Sequence, residues 1–393
     1  MSYYILPKNN NNINININAH NTHNTHNNEN VLGFQMNANS LYNYYNELKN
    51  QIVKICLTDN NDISYNTFDE IIKIVNPYEY IFSKVPGSKF SVSKLKPKTN
   101  LFYDFLEVSI TLNTLECFKN KKINSLHITP NYNDTIECFE MMRENFTDDI
   151  VCYDKITDST IQDIGDQKFD FLFFEANKDP LESYVLNLIE IVMIILRNQN
   201  NQGVTIIKIS HIFHKTIVEI LYLLSSLFEK IYVIKPNSSN VTTFDKYIVC
   251  KNFIINETKL TQYKINYYRF LIFLKKNENK NISSIFDFEI PYYFSMKLDD
   301  INIIIGQQQL ESLDQIISIL KNKNRDDKIE MLKKTNIQKS VNWCEKYKIP
   351  CNKFTDKINI FLPIIKDGIH LTDNIVDDSN FIDTNNNVVD VNN

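Results

Sequence analysis

The fold is decided by three segments in which polar residues stand at fixed points among apolar ones. They read Gly203-Val-Thr-Ile-Ile-Lys208-Ile, then Phe228-Glu-Lys-Ile-Tyr-Val-Ile-Lys235-Pro236-Asn-Ser238-Ser239-Asn240, and finally Asp245-Lys-Tyr247-Ile-Val-Cys-Lys-Asn-Phe253. Lys208 interrupts a β-branched run that is otherwise typical of a fully buried strand. A lysine in such a strand must pair with an acid or take part in chemistry, because an unpaired buried charge is costly. Lys208 is therefore the first candidate for a catalytic residue.

Around these segments, short apolar runs alternate with longer helical patterns. This alternation predicts a parallel α/β sheet, because a crossover helix connects successive parallel strands. We predict helices at 101–119, 134–146, 181–198 and 213–228, and strands at 123–129, 149–153, 169–175, 203–209, 229–235 and 246–253. Beyond residue 254 the pattern is helical, with a mixed period at 262–274 and predicted helices at 307–322 and 325–348.

Composition limits the class of protein. The 393 residues are 43% hydrophobic, enough for one sizeable core with satellites or for two domains. A formal net charge of −5 argues against a protein that coats a polyanion, although a local basic groove is compatible with it. The seven cysteines include no Cys-x-x-Cys pair, so we expect them to be reduced. With no apolar run long enough for a membrane span and no signal-peptide pattern, we expect a soluble, cytoplasmic protein without a membrane partner.

The chain divides into five segments. An asparagine-rich run cannot bury enough apolar surface to offset its ordering entropy, so residues 1–39 are expected to be a disordered tail. A helical and loop segment at 40–99 precedes the α/β domain at 100–255, which is followed by a mostly helical extension at 256–363 and a second disordered tail at 364–393. Trp343 in the extension is best interpreted as a helix anchor buried against its neighbours.

The histidines predict no metal site. His20, His23 and His26 recur within the asparagine tract, and the repetition of the tract explains their spacing. His211 and His214 follow a predicted strand without a cysteine or acid pair at ligand spacing.

The three opening segments resemble the carboxyl-terminal half of FtsJ-type (RrmJ-type) methyltransferases, which move a methyl group from S-adenosylmethionine to a ribose 2′-hydroxyl of RNA. That family has a Lys-Asp-Lys-Glu tetrad whose third member lies in a Gly-Gly-x-x-x-x-Lys strand. Gly203 to Lys208 fits this strand, with Gln202 in place of the first glycine. The later order of the family is repeated by Lys235-Pro236, Ser238-Ser239 and Asp245-Lys246-Tyr247, with Asn240 where arginine is usual.

The resemblance implies a methyltransferase fold and a relationship to viral proteins. The fold is α/β, a Rossmann-like methyltransferase sheet with helices on both faces, closed by an antiparallel strand pair and followed by a helical carboxyl-terminal extension. The segment from Val341 to Pro350 is similar to the tail of FtsJ-like proteins of giant DNA viruses. A viral member would work in the host cytoplasm or travel in the virion.

The resemblance also implies catalytic roles. Lys208 would be the base, which requires a pKa lowered by burial or by a nearby cation. Glu175 stands where the family has aspartate and Asp245 where it has glutamate, and both would orient Lys208. The first lysine of the tetrad falls on Asp104, just before Phe105-Leu106-Glu107-Val108. An acid cannot supply the second cation, so Lys96 or Lys98 of the preceding loop is the alternative source.

The implied cofactor is S-adenosylmethionine. It would be held by the turn Thr129-Pro130-Asn131, by Asp154 at the adenosine ribose and by Glu175. The family uses a glycine-rich turn here, because the backbone approaches the cofactor closely and takes positive φ. This chain has no glycine between Gly87 and Gly165, so Asn131 or Asn133 is expected to adopt the left-handed conformation.

Two functions remain open. The first is an FtsJ-like 2′-O-ribose methyltransferase acting on RNA, with capped viral mRNA as its substrate. The second is a catalytically inactive methyltransferase fold that serves as an RNA-binding or docking subunit, in which Lys208 is a structural lysine paired with Glu175. The basic segment from Lys89 to Lys98 is either a solvated loop or an RNA-facing surface.

Overall fold

A seven-stranded mixed sheet forms the centre of the protein in its computed structural model. The structure describes residues 3–9, 39–58, 65–176, 180–276, 284–286, 289–321 and 326–352. The strand order is β1-β6-β7-β5-β4-β2-β3. The strands are β1 (Tyr3–Leu6), β2 (Asn124–Ile128), β3 (Asp149–Tyr153), β4 (Phe169–Glu175), β5 (Gln199–Ile209), β6 (Phe228–Ile234) and β7 (Lys246–Phe253).

The pairing of the strands follows the expected topology. Strands β3, β2, β4 and β5 are parallel, whereas β7 lies antiparallel between β5 and β6. The predicted parallel α/β sheet and its closing antiparallel pair are therefore confirmed.

Ten helices accompany the sheet in the described residues. They are α1 (Asn39–Thr58), α2 (Tyr65–Val75), α3 (Leu101–Thr111), α4 (Tyr132–Met142), α5 (Asp158–Ile164), α6 (Leu181–Asn198), α7 (Lys215–Leu227), α8 (Glu257–Lys276), α9 (Tyr292–Lys321) and α10 (Asp326–Lys346). None of them is both long enough and apolar enough to cross a membrane.

Several helices differ from the prediction, and α3, α5 and α9 show this most clearly. The helix predicted at 101–119 ends at Thr111, because Asn113 adopts a φ of 48° and so leaves the right-handed helical region. α5, which Thr157 caps by accepting from the amide of Thr160, is too short to show a helical period in the sequence. α9 begins at Tyr292, well before the predicted residue 307.

Helices cover both faces of the sheet. Phe171 and Phe173 of β4 face α3, where their ring centroids lie 6.0 and 5.2 Å from that of Phe105. The alternate residues Leu172 and Phe174 belong to the core cluster that contains the apolar side chains of α6 and α7. Because side chains alternate along a strand, an apolar run such as that of β4 is buried on both sides. The architecture is a Rossmann-like α/β sheet with helices on both faces and a helical carboxyl-terminal region.

Strand β1 lies within the segment expected to be a disordered tail. Tyr3 is opposite Ile234 and Leu6 is opposite Ile231 in an antiparallel pair with β6, and Leu6 is buried. The residues Tyr-Tyr-Ile-Leu have high β-propensity, which the asparagine content of the following tract masks. That tract, residues 10–38 with His20, His23 and His26, lies outside the described residues.

The described residues, from 3 to 352, form one compact unit. The helical and loop segment at 40–99 and the helices α8, α9 and α10 belong to this unit together with the sheet. The tail expected at 364–393 lies outside the described residues.

Candidate active site

The carboxyl ends of three strands lie side by side at one edge of the sheet. Strand β2 pairs with β3 on one side and with β4 on the other, so the chain order reverses direction at β2. Open α/β sheets bind ligands in the crevice at such a switch point. Thr129 follows β2, the exposed Asp154 follows β3, and Glu175 ends β4. The fold thus brings the predicted cofactor-binding positions to one edge.

Glu175 connects this edge to the predicted catalytic lysine. Lys208 is the residue opposite Glu175 in the β4–β5 pair, and its Nζ donates a hydrogen bond of 2.8 Å to Glu175 Oε1. The hydroxyl of Thr129 donates to the second oxygen, Oε2, at 2.6 Å. Both side chains of the ion pair are about 15% exposed, so the pair is shielded from water but open on one side.

The pKa of Lys208 differs from what a general base requires. Burial by itself lowers the pKa of Lys208, but the carboxylates of Glu175 and Asp104, with a further contribution from Asp245, raise it above its ordinary value. The lowered pKa that a base requires is therefore not found, because the carboxylates of Glu175, Asp104 and Asp245 act on the ammonium group. Lys208 is an ammonium ion at neutral pH.

Asp104 lies on α3 close to the start of β7. Its Oδ1 accepts a hydrogen bond of 2.6 Å from the hydroxyl of Ser238, and its Oδ2 accepts one of 3.1 Å from the hydroxyl of Tyr247. Burial raises the pKa of Asp104 to about 7, against the opposing effects of Lys208 and Ser238. The side chains of Lys96 and Lys98 are exposed, and the charges that act on Lys208 are those of carboxylates.

Glu107 is a structural residue of the site that sequence reasoning did not single out. It is fully buried on α3, one turn from Asp104, and its Oε2 accepts from the amide of Ser238 and from Trp343 Nε1, both at 2.9 Å. Two acids in an otherwise apolar helix were the signal in the sequence. The interpretation of Trp343 as a buried anchor is confirmed, since it is 3% exposed.

Lys235 and Asp245 organise the loop that presents Ser238. Lys235 Nζ donates to the backbone carbonyls of Asn240, Thr243 and Asp245 at 3.0, 2.7 and 3.0 Å. The lysine of the Lys-Pro segment therefore folds the loop between β6 and β7. Asp245 is half-buried at the end of this loop, and its charge is among those that raise the pKa of Lys208.

The turn after β2 forms without a left-handed residue. Asn131 has a φ of −112°, and Asn133 lies within α4. In the described part of the chain, positive φ at non-glycine residues occurs at Asn113, Gln202, Asn252 and Lys348, so the expectation for Asn131 or Asn133 is wrong. The Thr129 hydroxyl, which accepts from the amide of Asn131 at 3.3 Å, shapes the turn instead.

The two histidines after β5 pack against aromatic rings. The ring of His211 stacks on Phe213 with centroids 5.3 Å apart, and burial lowers the pKa of His211 to about 3. Burial also lowers the pKa of His214. Within the described residues no group of three or more His, Cys, Asp or Glu side chains is placed to hold a metal ion.

Comparison with known proteins gives one family match. The sequence model of the FtsJ-like methyltransferases matches residues 13–253, a range that contains residues 104, 129, 154, 175, 208 and 245. No curated protein matches the chain.

Among solved structures, a ribosomal RNA methyltransferase from Plasmodium falciparum is 16% identical with a TM-score of 0.31, covering 40% of this chain and 100% of its own. Human methyltransferase-like protein 13, in complex with SAH, is 11% identical with a TM-score of 0.26, covering 44% of this chain and 93% of its own.

Proposed function

The chain belongs to the FtsJ-like methyltransferase family, and from this premise we propose that it transfers a methyl group from S-adenosylmethionine to a ribose 2′-hydroxyl of RNA. The observation that carries the proposal is the 2.8 Å contact between Lys208 and Glu175 at the carboxyl edge of the sheet. The RNA we expect is mRNA with a 5′ cap. The similarity of residues 341–350 to giant-virus proteins supports this, because a cytoplasmic virus must mark its own transcripts.

The residues at the switch point fit the proposed cofactor. Asp154 is an exposed carboxylate at the end of β3 and can accept hydrogen bonds from the ribose hydroxyls of the adenosine part. Glu175 supplies a negative charge at the end of β4, which suits a cationic sulfonium, and the turn Thr129-Pro130-Asn131 lies between the two acids in the strand order. When bound, S-adenosylmethionine supplies the methyl group.

Lys208 acts as a hydrogen-bond donor in this proposal. Its raised pKa favours the protonated form of Nζ at neutral pH, and this supports a role as donor over a role as base. A fixed ammonium group instead stabilises the negative charge that develops on the ribose oxygen. The proton leaves to solvent. Glu175 and Asp245 hold the ammonium group in place through their negative charges, and the bond from Glu175 Oε1 fixes its direction.

The proposal is tested by calorimetry and by methyl transfer. We expect the wild-type chain to bind S-adenosylmethionine and to methylate capped RNA, but not the same RNA with a 2′-deoxyribose at the target position. Lys208→Met keeps the length of the side chain and removes its charge, so we expect cofactor affinity to persist and kcat to fall by about 100-fold or more.

Lys230→Met, on the exposed side of β6, is the control and should keep wild-type activity. Absence of binding to the wild-type chain at millimolar cofactor contradicts the proposal. Transfer that survives Lys208→Met removes Lys208 from the mechanism.

Three observations favour the inactive fold as a second candidate. The turn after β2 has no glycine, the nitrogen of Pro130 cannot donate, and Asp104 replaces a cation beside Lys208. In this case the Lys208–Glu175 pair stabilises the fold and has no role in catalysis. The same titration separates the candidates, because an RNA-binding subunit binds RNA but not S-adenosylmethionine.

A further inference from the structure

A cavity with an unusual lining lies outside the candidate active site. Its volume is about 400 Å³, and its walls combine lysines with two phenylalanines. Phe82 is 38% exposed and Phe90 is 56% exposed. The lining residues that matter here are Phe82, Lys84, Lys89, Phe90, Lys94 and Lys96, which we call the Phe–Lys cavity.

Among the described residues, no acid forms an ion pair with the lysines of the Phe–Lys cavity. All four are exposed, and none forms an ion pair with another residue in the described ranges. No carboxylate lines the cavity. In a chain with a net charge of −5, four unpaired lysines around one cavity form a local positive field that attracts a polyanion.

The exposed phenylalanines are held on an ordered frame. The amide of Val85 donates to the carbonyl of Phe90 at 2.9 Å, closing a turn in which Gly87 has a φ of 78°. A Cβ at Gly87 would meet no atom within 4 Å, so its positive φ, which L-residues rarely adopt, is the reason for glycine there. The frame thus keeps an aromatic face in water, which a loop without a ligand does not require.

The segment after α10 fixes the other side of the cavity. The amide of Lys94 donates to the carbonyl of Pro350, and the amide of Asn352 donates to the carbonyl of Val92, both at 2.8 Å. The side-chain amide of Asn352 also donates to the carbonyl of Ser91 at 2.9 Å. The backbone that carries the lysines is therefore fixed both by its own turn and by the segment after α10.

The chain segment that follows the cavity is bonded to residues around the candidate active site. Just beyond Lys96, the amides of Lys98 and Thr99 donate to the buried carboxylate of Asp134 at 2.9 and 2.8 Å, at the start of the helix that follows β2. Asn100 then donates to the carbonyl of Ser238, whose hydroxyl binds Asp104. Residues 97–100 thus connect the lysines of the cavity to Asp134 and, through Ser238, to Asp104, whose charge acts on Lys208.

We propose that the Phe–Lys cavity binds single-stranded RNA. Bases stack on the rings of Phe82 and Phe90, and phosphates form ion pairs with the four lysines. This inference rests on the proposed function, for which it supplies the substrate-holding surface next to the site. Stacking on aromatic rings together with lysine–phosphate contacts is how proteins hold single strands without reading sequence. An acidic peptide would use the lysines but leave both rings without a partner.

Fluorescence anisotropy of the full chain with a labelled, unstructured RNA of about 12 nucleotides tests the proposal, without cofactor present. One variant carries Lys→Gln at 84, 89, 94 and 96. We expect its affinity to fall at least about ten-fold, and the slope of log affinity against log salt to shrink by about 2 to 3, because phosphate contacts release counterions. The matched control carries Lys→Gln at the exposed positions 119, 230, 328 and 339, and should bind like the wild type.

A second variant, Phe82→Leu with Phe90→Leu, keeps the apolar bulk and removes the ring faces. We expect roughly ten-fold weaker binding with an unchanged salt slope, because stacking does not involve ions. Tyr292→Leu, a 76% exposed aromatic elsewhere, is its control. The proposal is overturned if either variant binds RNA as its control does, or if a polyglutamate of equal charge displaces the RNA at equal concentration.

The two proposals fail in different ways. If the wild-type chain binds RNA through the cavity but does not bind S-adenosylmethionine, methyl transfer is excluded and the RNA surface stands. If the cavity variants methylate RNA with unchanged KM, the surface is excluded and methyl transfer stands.

Discussion

Two lysines at neighbouring positions of the β5–β7 pair show how surroundings set charge at the residue scale. Lys208 is opposite Tyr247, among acids that raise its pKa. Lys246 is opposite Ile209 and is 1% exposed, with its Nζ 5.9 and 5.8 Å from the ring centroids of Phe213 and Phe244. Burial, with help from the charge of Lys235, lowers the pKa of Lys246 to about 7. The alternation of side chains along β7 places adjacent residues in opposite environments.

Lys246→Met should remove a pH dependence of stability. Between about 7 and the ordinary 10.5, the unfolded chain holds a proton on this lysine that the folded chain lacks. Protonation therefore favours unfolding, and the free energy of unfolding should rise with pH across this window. Urea unfolding midpoints of wild type and Lys246→Met from pH 7 to 10 measure the effect. The variant should be more stable at pH 7 and lack this rise, whereas Lys230→Met should keep it.

Gln202 stands where the family pattern has a glycine, and its backbone retains the glycine conformation. Its φ is 59°, in the left-handed region, and its side chain is exposed. We expect Gln202→Gly to stabilise the chain by about 0.5–1 kcal/mol, because relief of a strain of about 1–2 kcal/mol exceeds the added entropy of the unfolded glycine. Chemical denaturation gives the difference directly. A loss of stability would show that the φ of Gln202 carries no strain.

At the scale of elements, β5 is the strand whose course departs most from a regular ladder. Phe169 is opposite Gln199 but Phe171 is opposite Val204, so β5 inserts extra residues at its start. The side-chain amide of Gln199 donates to the carbonyls of Phe169 and Asp170 at 3.1 and 3.2 Å and closes the gap. This irregular start explains why β5 begins at Gln199 and not at the predicted residue 203. From Val204 onward the pairing with β4 is regular, and it places Lys208 opposite Glu175.

Gly203→Ala should disrupt this start. An added Cβ would clash with the side-chain amide of Gln199 and would lie 2.8 Å from the backbone carbonyl oxygens of Asn200 and Asp170, which are less free to move than a side chain. We expect a loss of about 1–3 kcal/mol in the free energy of unfolding, as for other overpacked positions. Thermal and urea unfolding test this. Gln202→Gly, one residue away, is the matched comparison because its effect has the opposite sign, and an equal stability of Gly203→Ala and wild type would contradict the prediction.

At the scale of the whole molecule, helix α10 helps to hold the candidate active site in place. Trp343 of α10 and the amide of Ser238 share one oxygen of the buried Glu107 on α3. The ring of Trp343 also packs against Tyr103 and Tyr347, with centroids 5.8 and 4.6 Å away. Removing α10 would therefore disturb the loop that binds Asp104, although α10 lies outside the family match.

Trp343→Phe should destabilise the chain by about 1–3 kcal/mol, because it keeps an aromatic ring but takes one donor from a buried carboxylate. Combining it with Glu107→Gln, which removes the charge, should cost less than the sum of the two single changes. Equilibrium unfolding of the four chains gives this coupling. Strict additivity would mean that Trp343 and Glu107 do not stabilise each other.

Local pattern was sufficient to predict the elements that position the site. Only the resemblance to a family assigned roles to Glu175 and Asp245. The alternation of apolar strands and helical segments identified β2 to β7 and α6, and the interruption of an apolar run identified Lys208. These features follow from strand and helix periods, which are properties of neighbouring residues.

Contacts between distant segments decided the rest. The pKa of Lys208 depends on Asp104, from a helix more than a hundred positions earlier in the chain, and the sequence cannot show which charges surround a buried group. The same holds for β1 on the far edge of the sheet, for Glu107 between Trp343 and Ser238, and for the backbone bonds that join Val92 and Lys94 to Asn352 and Pro350. Electrostatic and packing energies depend on distance in space, and only the tertiary structure sets that distance for residues far apart in the chain.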